Sequence, residues 1–115
     1  MEAARALADL VEISPQIEAA AVVGGDGTIA GTVGVPEARA DLLAQCVRGL
    51  LDGAGAFRGD GRGVTQIHAD LADGQVFAVT GAGVRTIVAV ASGRAAPGLL
   101  FYDLKRCLAM LDDET

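Results

Sequence analysis

Residues 17–34, IEAAAVVGGDGTIAGTVG, constrain the fold of this chain more than any other stretch. Residues 18–24 form a nearly continuous apolar run, which is typical of a strand buried on both faces. Gly24-Gly25-Asp26-Gly27 follows, and such turns supply the positive-φ residues that a tight hairpin needs. Residues 28–34 read as a second, more exposed strand, and Val35-Pro36-Glu37 opens a helix directly after it. The pattern predicts a β-hairpin that leads straight into a helix.

Three segments, residues 2–14, 37–54 and 98–111, have the apolar spacing of amphipathic helices. Pro15 ends the first one, because a residue before proline is pushed out of the α region. In the middle helix the apolar residues cover about half of the circumference at ~100° per residue. They are Leu42, Leu43, Cys46, Val47, Leu50, Leu51 and Ala54. This arc is wider than one sheet face requires, so part of it is available to a second partner.

The opposite side of the same helix is a polar stripe of Asp41, Gln45, Arg48 and Asp52. Gly49 and Gly53 border the apolar arc one turn apart. Either these glycines let a second backbone approach closely, or the helix frays there before a glycine-rich loop over residues 53–63. The sequence alone leaves both alternatives open.

The rest of the chain predicts three more strands, at residues 64–71, 74–81 and 84–92. Turns at Ala72-Asp73-Gly74 and Gly81-Ala82-Gly83 separate them. The last strand is apolar on both faces and belongs at the sheet centre, whereas the half-polar strand 64–71 belongs at an edge. The predicted order is α-β-β-α-β-β-β-α, an α+β fold, and we expect residues 1–115 to form one domain.

Composition and charge exclude several classes of function. The net charge is −6 and Lys105 is the only lysine, so the basic stripe of a nucleic-acid binder is absent and binding to anionic membranes is disfavoured. The start lacks the features of a signal peptide, and no uncharged run approaches the length of a membrane helix. We therefore expect a cytoplasmic protein without membrane insertion. Cys46 and Cys107 have no metal-site or disulfide spacing, and we expect both to be buried in helices.

Residues with catalytic potential are few and scattered. No phosphate-binding loop with a lysine occurs, so the glycines are interpreted as turn formers. His68 is the only histidine and is expected to be a solvated or interface residue, and Ser14 and Ser92 lie in no nucleophile-elbow pattern. Arg58 and Arg62, in the predicted loop, are more simply solvated than catalytic. We expect no catalytic, cofactor or metal site.

Taken together, three stretches resemble the Roadblock family, named for dynein light chains of that type. They are IEAAAVVGGDGTIAG in the first hairpin, GQVFAVTGAGVRTIVAVAS in the central strands and GLLFYDLKRCLAML in the last helix. The resemblance spans residues 7–111. It implies a profilin-like five-stranded antiparallel sheet, with the first and last helices on one face and the middle helix on the other.

The resemblance also implies a homodimer or a heterodimer, in which the middle helices pack side by side and the third strands pair. Because of the wide apolar arc of the middle helix and the half-polar edge strand 64–71, we expect a homodimer. On this chain that interface would involve Leu42, Cys46, Gly49, Gly53, Gln66, His68 and Asp70. Prokaryotic members of the family act with small Ras-like GTPases, as activators, regulators or scaffolds. The implied function is non-enzymatic, with Asp41, Gln45, Arg48 and Asp52 at or near the contact with the GTPase. The Ala/Gly/Arg-rich composition is typical of a bacterial GC-rich genome, such as that of an actinobacterium.

A small-ligand sensor of the PAS or GAF type is the alternative, because such domains also flank an antiparallel sheet with helices. A sensor usually encloses its ligand in a cavity lined by aromatic side chains and a few polar anchors. This chain has three Phe, one Tyr and no Trp, which counts against that alternative.

Overall fold

The helices and strands follow the predicted order along the chain. The computed structural model describes residues 2–58, 66–81, 85–92 and 95–112. The elements are α1 (Ala3–Ile13), β1 (Ile17–Val23), β2 (Ile29–Val33), α2 (Glu37–Arg58), β3 (Gln66–Leu71), β4 (Gly74–Thr80), β5 (Thr86–Ser92) and α3 (Pro97–Asp112). The α+β fold class is therefore confirmed.

The five strands form one antiparallel sheet in the order β2-β1-β5-β4-β3. β5 lies at the centre, as its continuous apolar sequence predicts, and its buried residues are Ile87, Val88, Ala89 and Ala91. β3 lies at an edge, in agreement with its polar alternation. A two-residue turn at Ala72-Asp73 joins β3 to β4, with Leu71 paired to Gly74.

The main core lies between the sheet and the pair α1 and α3. Leu7 and Leu10 of α1 pack with the α3 leucines against Phe77 and Ile87 of the sheet. Alanines at several inward sheet positions, such as Ala20, let both helices approach the strands closely. A smaller cluster lies on the opposite face, where α2 packs.

In the smaller cluster, Val47 of α2 packs with buried residues of the sheet, and Leu43 and Leu51 are only partly buried at its border. The sheet residues are Ala21, Ala78 and Val88. One helix thus covers only part of this face, while two helices cover the other. The layer arrangement expected for a profilin-like fold is confirmed.

The connection from β2 to α2 depends on Gly34. Its φ is +73°, and a Cβ there would collide with the Glu18 carbonyl oxygen. Only glycine adopts this conformation without strain at so close an approach. The residue therefore fixes how the hairpin turns into the helix.

Two expectations from the sequence are wrong. α2 extends to Arg58 instead of ending near residue 54, because its last residues contain alanines and no proline to stop the helix. Cys46 is exposed rather than buried, since it lies on the part of α2 that the sheet does not cover, whereas Cys107 is buried as expected. Residues 59–65 and 82–84, which include Arg62 and part of the second predicted turn, lie outside the described residues, as do the side chains of residues 54–58.

Candidate functional site

The surface of α2 is divided lengthwise into three sectors. One sector, around Val47, packs on the sheet. A second sector is the polar stripe, whose four residues are all exposed. The third sector, here called the open apolar stripe, consists of Leu42, Cys46, Gly49, Leu50 and Gly53. Leu42 is 66% and Leu50 44% exposed, so half of the apolar arc remains uncovered in the isolated chain.

The two glycines of the open apolar stripe have free space above them in the described part of the chain. A Cβ built at Gly49 or Gly53 meets no atom within 4 Å. The glycines therefore serve no close packing inside the described part of the fold. Of the two alternatives left open by the sequence, fraying before Gly53 is wrong, because the helix continues past it.

Arg48 of the polar stripe is tied to the β1–β2 hairpin. Its Nη2 donates a hydrogen bond to the Gly25 carbonyl oxygen at 2.7 Å. In the same turn the Thr28 backbone N–H donates to Asp26 Oδ1 at 2.9 Å, and this bond is the main cause that lowers the pKa of Asp26, with the Arg48 charge a smaller one. The sequence did not reveal the Arg48 contact, although Asp-Gly-Thr is a recognisable turn pattern. Arg48 therefore has a structural role besides any contact with a partner.

The three predicted interface residues of β3 form a row, here called the β3 row, on the sheet face that carries α1 and α3. Gln66, His68 and Asp70 pair with Val79, Phe77 and Gln75 of β4, respectively. The His68 ring stacks on Phe77 with centroids 4.7 Å apart, and His68 Nε2 lies 3.5 Å from Asp70 Oδ1. His68 is therefore packed on one side and open on the other.

The fold does not bring all predicted interface residues onto one surface. Leu42, Cys46, Gly49 and Gly53 share one side of α2, whereas the side chains of the β3 row project to the opposite face of the sheet. What connects the two groups is the free backbone edge of β3, which can extend the sheet through pairing with another strand.

Among the described residues, few side chains are arranged as a catalytic or metal site would require. Ser14 is buried, and its hydroxyl donates to Asp103 Oδ2 at 2.5 Å, which joins the end of α1 to α3. Among these residues no group of three or more His, Cys, Asp or Glu side chains could hold a metal ion. None of the helices in the described ranges has the length and hydropathy that a membrane crossing requires.

Three surface depressions are lined by described residues, and all are open to solvent. One, of about 280 Å³, lies between α1 and α3. A second, of about 530 Å³, lies beside the start of α2 and includes Leu42. The third, of about 710 Å³, lies at the β3–β4 turn near Gln75, whose buried Oε1 has no hydrogen-bond partner among the described residues.

Comparisons with known proteins show which solved structures have a similar architecture. No protein-family model matches the sequence, and no curated protein matches it either. A Roadblock/LC7 domain from Streptomyces avermitilis is 24% identical, with a TM-score of 0.81, over 93% of this chain and 92% of that chain. MglB from Myxococcus xanthus is 15% identical, with a TM-score of 0.75, over 96% of this chain and 84% of that one. The gliding protein MglB from Thermus thermophilus is 17% identical, with a TM-score of 0.78, over 99% of this chain and 90% of that chain. Across nearly its full length, this chain therefore has the α+β fold of the Roadblock/LC7 domains and of MglB.

Proposed function

We propose that this chain is a non-enzymatic, dimeric regulator or scaffold that binds a small Ras-like GTPase. The observation that carries the proposal is the likeness in fold to MglB and to a Roadblock/LC7 domain along nearly the whole chain. The resemblance drawn from the sequence associates prokaryotic proteins of this fold with Ras-like GTPases. The GTPase supplies its own nucleotide site, so the regulator needs no catalytic residue of its own.

The open apolar stripe supports the dimer. Leu42, Cys46 and Leu50 expose apolar surface in a row along α2, and Gly49 lies between them with free space above it. A second α2, related by a two-fold axis, would cover this stripe and allow the free edges of β3 to pair. A further solved MglB, 17% identical over 90% of this chain, is described in a tetrameric arrangement, which is compatible with self-association of this fold.

The polar stripe supports the contact with a GTPase. It lies beside the open apolar stripe, so a pair of α2 helices would present two such stripes to solvent. A polar and partly charged contact suits a reversible regulator, because charges at the rim of an interface control the association rate and its salt dependence.

The sensor alternative gains no support from the three depressions described above. A sensor holds its ligand in a largely enclosed cavity, and these depressions are open grooves on the surface.

The partner is tested by binding to a small Ras-like GTPase from the same genome. The GTPase is immobilised and loaded either with GDP or with a non-hydrolysable GTP analogue, and binding is measured by surface plasmon resonance. We expect binding that depends on the nucleotide. Single-turnover GTP hydrolysis, with and without this chain, then separates a GTPase activator from a scaffold. If none of the small GTPases encoded in the genome binds in either state, the proposed function is wrong.

The contact surface is tested by charge reversal that leaves Arg48 and its hairpin contact intact. The double variant Asp41→Lys, Asp52→Lys should weaken binding about tenfold or more, which is about 1.4 kcal/mol. The control is Glu2→Lys, Asp73→Lys, which changes the net charge equally at exposed sites away from α2. If both double variants bind as the parent does, the GTPase contact lies on another surface.

A further inference from the structure

The groove between α1 and α3 is an apolar surface at the outer side of the main core, and α2 takes no part in it. Its floor contains Leu10 and Cys107, which are 3% and 4% exposed, and the half-buried Met110. Ile13, at the end of α1, borders the groove and is 65% exposed. The groove has a volume of about 280 Å³, so it offers room for apolar side chains from outside. Methionine adapts its shape easily, which suits a surface that accepts a partner.

Acidic side chains dominate the rim of this groove. Asp9 and Glu12 of α1 and Asp103 of α3 line it, against the single guanidinium of Arg106. The Asp9 charge also acts on Cys107 in the floor of the groove. Burial first, and then this negative charge, raise the pKa of the Cys107 thiol from 9.0 to about 11. A partner that fills the groove must therefore combine apolar groups with positive charge.

The groove is already formed in the isolated chain. At one end Ser14 donates its hydroxyl hydrogen to Asp103, and farther along Cys107 Sγ lies 3.7 Å from the Ala6 carbonyl oxygen. Both helices are also held by the main core below them. The two helices therefore need not rearrange when a partner binds, and only the partner has to become ordered. This lowers the entropic cost of binding.

The shape of the groove favours a helix as its occupant. Two packed helices present ridges and a furrow that accept the ridge of a third helix. On α1 the groove is lined from Ala6 to Ile13, a stretch of about 12 Å at 1.5 Å per residue, or about two helical turns. An amphipathic helix of that length places apolar anchors at positions i, i+3, i+4 and i+7 on one face.

We propose that the groove between α1 and α3 is a docking site for an amphipathic helix of a partner protein, with apolar anchors on one face and Lys or Arg beside them. The apolar floor takes the anchors, and the rim carboxylates of Asp9, Glu12 and Asp103 take the basic side chains. The groove lies on the opposite side of the sheet from α2. A partner helix can therefore bind there while α2 is engaged elsewhere.

The test uses a fluorescent synthetic peptide of about four helical turns, with Leu at the anchor positions and Lys at the others. A matched peptide carries Glu in place of every Lys. Fluorescence anisotropy should show binding of the Lys peptide that weakens as salt rises, and much weaker binding of the Glu peptide. Equal binding of the two peptides, or no binding of the Lys peptide, would overturn the proposal.

Two pairs of protein variants locate the binding site. Glu12→Lys is compared with Asp73→Lys, which makes the same charge change at an exposed turn outside the groove. Ile13→Ser is compared with Tyr102→Ser, because Tyr102 is also exposed, at 58%, but does not line the groove. Each groove variant should weaken binding about tenfold, whereas each control should leave it nearly unchanged. If the controls weaken binding as much as the groove variants, the peptide binds elsewhere and the proposal is wrong. All four positions are exposed or at a rim, so circular dichroism should show folded protein throughout.

Discussion

Cys46 and Cys107 have the same side chain and opposite surroundings. Cys46 lies on the open apolar stripe of α2, whereas Cys107 is packed between α1 and α3. Burial first, and then the nearby charge of Asp9, raise the pKa of the Cys107 thiol to about 11. The difference arises from position in the fold, since both cysteines follow the same helical spacing in the sequence.

The raised pKa of Cys107 predicts a loss of stability in alkaline solution. Below pH 9 the thiol is protonated in the folded and unfolded states, and its contribution to folding is fully present. Between its usual pKa of 9.0 and the raised pKa of about 11, the unfolded chain loses this proton while the folded chain keeps it, so the free energy of unfolding falls. Urea denaturation at several pH values measures this slope, and Cys107→Ala should remove part of it. An identical slope in parent and variant would show that the thiol does not titrate differently in the two states.

At the scale of elements, the passage from β2 into α2 depends on one backbone conformation. The positive φ of Gly34 and its closeness to the Glu18 carbonyl oxygen leave no room for a side chain. Arg48 links the hairpin and α2 at a second point, because it donates a hydrogen bond to the turn between β1 and β2. The hairpin and the middle helix are thus held together at two points.

Gly34→Ala should therefore destabilise the fold by about 2–3 kcal/mol, because the alanine must adopt a strained backbone conformation or push β1 away. The control is Gly98→Ala, since a Cβ at Gly98 in α3 meets nothing within 4 Å. That variant should be neutral or more stable by about 0.4–1 kcal/mol. Urea denaturation of both variants measures the difference. Equal stability of the two would mean that the β2–α2 connection adjusts without cost.

At the scale of the whole molecule, the two faces of the sheet are covered unequally. α1 and α3 cover one face, whereas α2 covers only part of the other and leaves its own open apolar stripe exposed. The acidic groove between α1 and α3 and the stripes of α2 therefore lie on opposite sides. The two proposed partner contacts therefore lie on separate surfaces.

We expect a homodimer that buries about 1,200–2,000 Å² or more. Sedimentation at micromolar concentration should show the dimer, and Gly49→Arg should weaken it because a long charged side chain would enter the interface. Gly98→Arg is the matched control, since that glycine also has free space around it but lies on α3. A monomer at all concentrations, or equal weakening by both variants, would contradict this interface.

The sequence by itself determined the order of the elements and the places of β5 and β3 in the sheet. These features depend on local patterns: apolar runs, alternation, and turn residues such as Gly24 to Gly27, whose conformational preferences act within a few residues. The sequence also indicated that the apolar arc of α2 is too wide for one sheet face, and this is confirmed by the exposure of Leu42 and Leu50.

Only the tertiary structure decided which half of that arc faces the sheet, and hence that Val47 is buried and Cys46 exposed. The bond from Arg48 to Gly25 and the bond from Ser14 to Asp103 at one end of the groove join residues far apart in the chain. Local periodicity carries no information on such contacts, because they depend on how the helices and strands are placed in space. The end of α2 at Arg58 was also not predicted from the sequence. The loss of helix propensity at its glycines is offset by neighbouring residues that favour the helix.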